Sequence, residues 1–150
     1  EKIKEIKENA ILMLVGSGEL EGEIKELANR LGLLNSIVFT GSVQNVNEYY
    51  SAFDSFVFPS IYEGLGIVLV EAQANGLPCF VSDVVPSEAN LSDVYFSLSL
   101  NDSPLEWAKC IINNSVIFNR QCNENVRKYD IKRVAKLLED FYTAGLFSFP

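Results

Sequence analysis

Short apolar runs recur along the chain, separated by stretches in which apolar residues return every three or four positions. The runs at 10–15, 37–40, 54–58, 78–82 and 95–97 have the length and the β-branched and aromatic content of strands. The first of them reads as a buried strand. Between them, Leu20, Ile24, Leu27 and Leu31 fall on one face of a helix over 19–31, and Gly32 supplies its stop. Residues 1–8 read as the end of a helix and 46–53 as a short one. The segment 66–75 is ambiguous at its start, because Ile67-Val68-Leu69-Val70 would also suit a buried strand. The continuation Glu71-Ala72-Gln73-Ala74 and the ending Gly76-Leu77-Pro78 favour a helix. A helix over 104–112 has Ser103 as its N-cap, and 131–143 is amphipathic. The last residues, 145–150, read as an apolar, frayed tail.

Strands that alternate with helices give an α/β fold with a parallel sheet. There is no internal repeat, low-complexity tract or linker. Ligands of such sheets bind outside the carboxyl ends of the strands. The loops 16–18, 41–45, 59–66 and 82–87 each follow a predicted strand, so they should gather at that end.

Composition narrows the chemistry. With 150 residues the chain fits one domain, and 48% hydrophobic content is ample for a core. A net charge of −8 speaks against nucleic acid as a partner. No apolar run is long enough to span a bilayer, and no signal peptide is visible, so no transmembrane segment is expected. Three cysteines without a C-x-x-C pair argue against a disulfide framework and a zinc site, and fit a reducing cytoplasm. The chain has no histidine, which removes the commonest general base and metal ligand.

The most informative stretch is Pro59-Ser60-Ile61-Tyr62-Glu63-Gly64-Leu65-Gly66-Ile67-Val68-Leu69-Val70-Glu71-Ala72. It reads as strand end, tight glycine loop and helix start. Such a turn presents backbone N–H groups at a helix N-terminus, where the dipole favours an anion such as a diphosphate. Glu63 stands at the mouth of the loop, and Glu71 more than a turn into the helix. Two acceptor carboxylates flanking a phosphate cradle suit a ligand with hydroxyls at both ends, as a nucleotide-sugar has.

These residues and their order resemble the donor-binding C-terminal domain of retaining glycosyltransferases with the GT-B architecture, glycosyltransferase family 4 in particular. The resemblance rests on Val15-Gly16-Ser17-Gly18, Ile37-Val38-Phe39-Thr40-Gly41, Asp54-Ser55-Phe56-Val57-Phe58-Pro59-Ser60, Glu63-Gly64-Leu65-Gly66 and Glu71-Ala72-Gln73-Ala74-Asn75-Gly76-Leu77-Pro78. It covers roughly residues 10–90. Leu65 stands where phenylalanine is common, and keeps an apolar side chain there. Glu106-Trp107-Ala108 and Tyr129-Asp130-Ile131-Lys132 are similar to the capsular and exopolysaccharide branch.

The resemblance implies a Rossmann-like parallel sheet flanked by helices, with residues 1–150 forming a nucleotide-sugar donor-binding domain. It implies transfer of a hexose to a saccharide or lipid-linked saccharide acceptor in cell-surface polysaccharide synthesis. No cofactor or metal is expected, and the expected donor is a UDP-sugar. The enzyme would work in the cytoplasm, or peripherally at the inner face of the membrane. Glu63 is assigned to hydroxyls of the transferred sugar, Glu71 to the ribose, and the N–H groups of Gly64, Leu65, Gly66 and Ile67 to the phosphates. Gly16, Ser17 and Gly18 would line the pocket, and Val43 would meet the nucleobase. Tyr49, Tyr50 and Tyr62 could stack on a ring but read better as packing residues, and Trp107 as core. Lys132, Arg133 and Lys136 read as a solvated helix face.

The chain also reads as a fragment. The family's acceptor domain and the first strand of its donor domain are not recognisable in it, and alone it should be inactive. That first strand lies between the second and fourth of the family's six, here 10–15 and 54–58. Two strand edges would then lack a partner and invite self-association. The rival reading is a non-catalytic nucleotide-binding module derived from the same fold.

Overall fold

The structure is a computed structural model and describes residues 1–115 and 120–144. The expected tail over 145–150 lies outside the described residues. The chain divides into two compact units, Glu1–Ala52 with Asn101–Val116, and Phe53–Leu100 with Ile117–Pro150.

The first unit holds α1 (Lys2–Ile6), β1 (Leu12–Val15), α2 (Glu21–Arg30), β2 (Ile37–Gly41), α3 (Val46–Ala52) and α5 (Pro104–Asn114). β1 and β2 pair in parallel, with Leu12 opposite Ile37 and Leu14 opposite Phe39. α5 packs against α1. The N-terminus of α5 is set by a reciprocal capping box. Ser103 Oγ accepts from the Glu106 N–H, and the Glu106 carboxylate accepts from the Ser103 N–H at 2.7 Å. That backbone N–H holds the Glu106 carboxyl below its ordinary value.

The second unit holds β3 (Phe56–Phe58), α4 (Ile67–Ala74), β4 (Cys79–Ser82), β5 (Tyr95–Leu98) and α6 (Ile131–Ala144), with a 3₁₀ segment at Glu124–Tyr129 before α6. Its sheet has the order β3-β4-β5, all parallel. Central β4 is buried at every position, as a strand covered on both faces must be. Phe80 stacks on Phe96 of β5, with ring centroids 5.1 Å apart. Leu69, Val70 and Ala72 of α4 complete this core together with Leu77, Val81, Ala89 and Leu91.

One expectation is corrected here. Leu12 at the start of β1 is exposed and the rest of the strand only half-buried. The parallel strands form two sheets, β1-β2 and β3-β4-β5, and among the described residues β1 and β3, the strands whose facing edges were expected to lack a partner, share no ladder. A strand that is bonded on one side lacks the cover that a central strand has. The amphipathic stripe of α2 shows the same lack of cover, since Leu20, Ile24, Leu27 and Leu31 remain 42–61% exposed.

Cys79 lies in β4, and burial pushes its thiol from near 9 up to about 12. Cys122 is exposed. Thiol labelling at pH 8 should therefore modify Cys122 quickly and Cys79 only after unfolding, because the thiolate is the reactive species. Mass mapping of the labelled peptides checks this. The unfolded chain releases the Cys79 proton near pH 9 and the folded chain does not. Stability should therefore fall as pH rises from about 9 towards 12, and the fall should be smaller in Cys79→Ala.

Candidate nucleotide-sugar site

The glycine loop of the second unit is built by three local devices. Gly66 is the N-cap of α4 at φ +70°, a left-handed backbone that a residue with a Cβ adopts at a cost. Being a glycine, this N-cap contributes no side-chain cap bond. Leu65, the apolar residue between the two glycines, packs on the cluster of Val70, Leu91 and Val126. The loop is thus anchored by one side chain, while Gly64 is exposed. Ser60, where the chain leaves β3, is tied to the sheet by a bond from the Ser82 hydroxyl to its carbonyl.

Glu63 is half-buried at this turn, and its Oε1 accepts from the Gly64 N–H at 3.1 Å. A Cβ on Gly66 would come within 3.2 Å of Glu63 Cγ, so the second glycine makes room for the stem of the glutamate. Glu71 is half-buried on the face of α4 that also carries the exposed Ile67 and Ala74. The opposite face, Leu69, Val70, Ala72 and Gln73, is buried. The helix therefore turns its apolar side to the core and offers Glu71 on its outer side. Tyr62 is 90% exposed and does not pack as expected, because among the described residues no element covers the crest of this loop.

The remaining predicted residues belong to the first unit. Gly16 follows β1 at φ +126°, and its N–H donates to the Gly41 carbonyl at 2.9 Å. Ser17 Oγ and Ser42 Oγ are 2.8 Å apart. The loops 16–18 and 41–45 are thus joined at the carboxyl ends of β1 and β2. Gly18 is exposed and Val43 half-buried. Ser42 escaped the sequence reading, because a single serine after a strand carries no signal until its partner 25 residues away is known. Tyr50 is buried, as read, and Tyr49 and Trp107 are half-buried. Lys132, Arg133 and Lys136 are exposed, with Lys136 bridging Glu139 and Asp140.

Chemically, the loop and α4 combine a glycine-capped helix N-terminus with two carboxylates, Glu63 and Glu71, which can accept hydrogen bonds. The first can face an anion, and the second two can hold hydroxyls. Among the described residues, no helix is long and apolar enough to cross a membrane.

A family model described as "Glycosyl transferases group 1" matches residues 1–114. A protein designated a glycosyltransferase, EpsF of Bacillus subtilis (strain 168), is 43% identical over 110 residues, which cover 71% of this chain and 29% of that protein. The UDP-Gal:alpha-D-GlcNAc-diphosphoundecaprenol alpha-1,3-galactosyltransferase of Escherichia coli is 28% identical over 142 residues, covering 89% of this chain and 37% of that protein. The crystal structure of WaaG, a glycosyltransferase involved in lipopolysaccharide biosynthesis, aligns with a TM-score of 0.68 at 23% identity, over 92% of this chain and 39% of that one. The α/β architecture with parallel strands flanked by helices is thus the one found in GT-B glycosyltransferase structures. The chain spans well under half the length of the curated relatives it matches.

Proposed function

Since the chain belongs to the group 1 glycosyl transferases, we propose that the whole protein transfers a hexose from a nucleotide-sugar to a saccharide acceptor, with retention at the anomeric carbon. The observation that carries this reading is the turn over 63–71. A helix N-terminus with a glycine as its N-cap, Glu63 in the loop before it and Glu71 within the helix stand together there, and Leu65 anchors the loop. A diphosphate meets the positive end of α4, backed by the N–H groups of Leu65, Gly66 and Ile67, while the Gly64 N–H is held by Glu63. Glu63 accepts from hydroxyls of the transferred sugar, and Glu71 from those of the ribose. As the donor leaves, negative charge grows on the nucleoside diphosphate, and amides fixed in advance stabilise it without reorganising. No protein nucleophile takes part, and the scheme requires no metal.

We assign the donor as a UDP-sugar. The named substrate of the Escherichia coli relative, which begins with UDP-Gal, supports that choice. The acceptor, a saccharide or lipid-linked saccharide, is proposed on the same ground, and cell-surface polysaccharide synthesis as the setting.

The test is calorimetric titration of the full chain with UDP, GDP and ADP. UDP should bind tightest. Glu71→Ala should weaken UDP by about tenfold, the worth of one charge-assisted hydrogen bond, and should leave 2′,3′-dideoxy-UDP unaffected. Equal weakening of both ligands would remove Glu71 from the ribose.

A further inference from the structure

Gln73 is fully buried in α4, and its amide uses all of its hydrogen-bonding capacity. Nε2 donates to the Leu69 carbonyl at 3.0 Å and to the Ala89 carbonyl at 2.8 Å. Oε1 accepts from the Leu91 N–H at 2.9 Å and from Ser92 Oγ at 3.1 Å. One partner lies a turn back in the same helix. The other three come from 89–92, the segment that leads into β5. The neighbours of Gln73 on the buried face, Leu69, Val70 and Ala72, are apolar, and apolar contact by itself is non-directional. A satisfied buried amide adds direction, since a shift of the helix would leave several polar groups unpaired together.

At about 100° per residue, Gln73 and Glu71 lie on nearly opposite sides of α4. Whatever fixes the rotation of the back of the helix fixes the aim of its front. We propose that Gln73 is a positioning residue of the donor site: it locks α4 to 89–92 and so holds Glu71 at the angle the nucleotide needs. This rests on the nucleotide reading given above. An apolar residue of the same volume would fill the space, but would leave the Ala89 carbonyl, the Leu91 N–H and the Ser92 hydroxyl without partners.

Gln73→Met keeps the volume and removes the network, whereas Ser92→Ala removes one bond and serves if the first variant does not fold. Two measurements on the full chain decide the matter, each at a temperature where every variant is folded. In UDP titrations, Gln73→Met should bind about tenfold more weakly and Ser92→Ala about twofold to threefold. Combined with Glu71→Ala, either should cost little more than Glu71→Ala alone, because both act through that side chain. Losses that multiply, or unchanged affinity in the single variants, overturn the proposal. In hydrogen exchange, the amides of 70–74 should exchange about tenfold faster in Gln73→Met, and severalfold faster in Ser92→Ala, while those of Phe80 and Val81 keep their rates. Equal acceleration in helix and strand marks a merely structural role and overturns it too. If the parent chain shows no UDP binding, the nucleotide reading fails, and with it the claim that Gln73 positions Glu71 for a nucleotide. The exchange pattern then reports separately whether Gln73 locks α4.

Discussion

Replacing Glu63 with glutamine is expected to lower the transferase activity of the full protein by about 10²–10³-fold and to leave the fold intact, a loss of the size seen when one transition-state hydrogen-bonding group is removed. The substitution is nearly isosteric. Glutamine Oε1 can still accept from the Gly64 N–H, as Glu63 does at 3.1 Å, so the turn keeps its internal bond. Leu65 still anchors the loop on Val70, Leu91 and Val126. What changes is the charge and one acceptor atom, which becomes a donor. A sugar hydroxyl held by a carboxylate then loses a charge-assisted bond. If Glu63 acts on the transferred sugar, kcat should fall with little change in UDP affinity, because the proposed contact is to the sugar and UDP lacks it. Steady-state kinetics with the donor varied, paired with UDP titration, separates the two. Activity within threefold of the parent would reduce Glu63 to a turn residue.

Gly76→Ala is expected to cost about 3 kcal/mol of stability, from left-handed strain and overpacking together. The glycine closes α4 in a Schellman arrangement. Its N–H donates to the Gln73 carbonyl at 3.0 Å, and the Leu77 N–H donates to the Ala72 carbonyl at 3.1 Å. Its φ of +65° costs an L-residue about 1–2 kcal/mol. An added Cβ would also sit 2.9 Å from the Gln121 nitrogen and 3.1 Å from its carbonyl oxygen, so backbone would have to move rather than a flexible side chain. For a chain of this size the loss corresponds to a fall in Tm of about 6–12 °C. Gly32→Ala is the control. It has φ +68° with open space around the new methyl, so it should lose the conformational part alone, about 1–2 kcal/mol. Equal losses in the two variants would show that the contact with Gln121 carries no weight.

The helix ends that these variants test were legible because their signals are local. Ser103 as N-cap of α5, and Gly76 two residues before Pro78 at the end of α4, mark termini through atoms a turn or less apart. The glycine loop was legible for the same reason. The sequence places a glycine turn at the start of α4, and the structure makes Gly66 its N-cap at φ +70°. The apolar runs fixed which segments are strands to within about two residues, and their alternation with helices fixed the α/β class.

Burial and partnership were not legible, because they depend on segments distant in the chain. The run at 10–15 has the composition of a buried strand, yet β1 is paired on one side and only half-buried beyond Leu12. Leu20, Ile24, Leu27 and Leu31 have the spacing of a core face and remain exposed, since spacing says which residues share a side and not what covers it. Gln73 reads as one more polar helix residue until the backbone of 89–92 is brought against it. Ser17 and Ser42 likewise gain a contact only when β1 and β2 pair. The sequence by itself determined the order and kind of elements, the turn chemistry at 63–66 and the family. The tertiary structure alone decided which strands meet, which apolar faces find cover and which partners the Gln73 amide finds, because those outcomes follow from contacts between residues far apart in the chain.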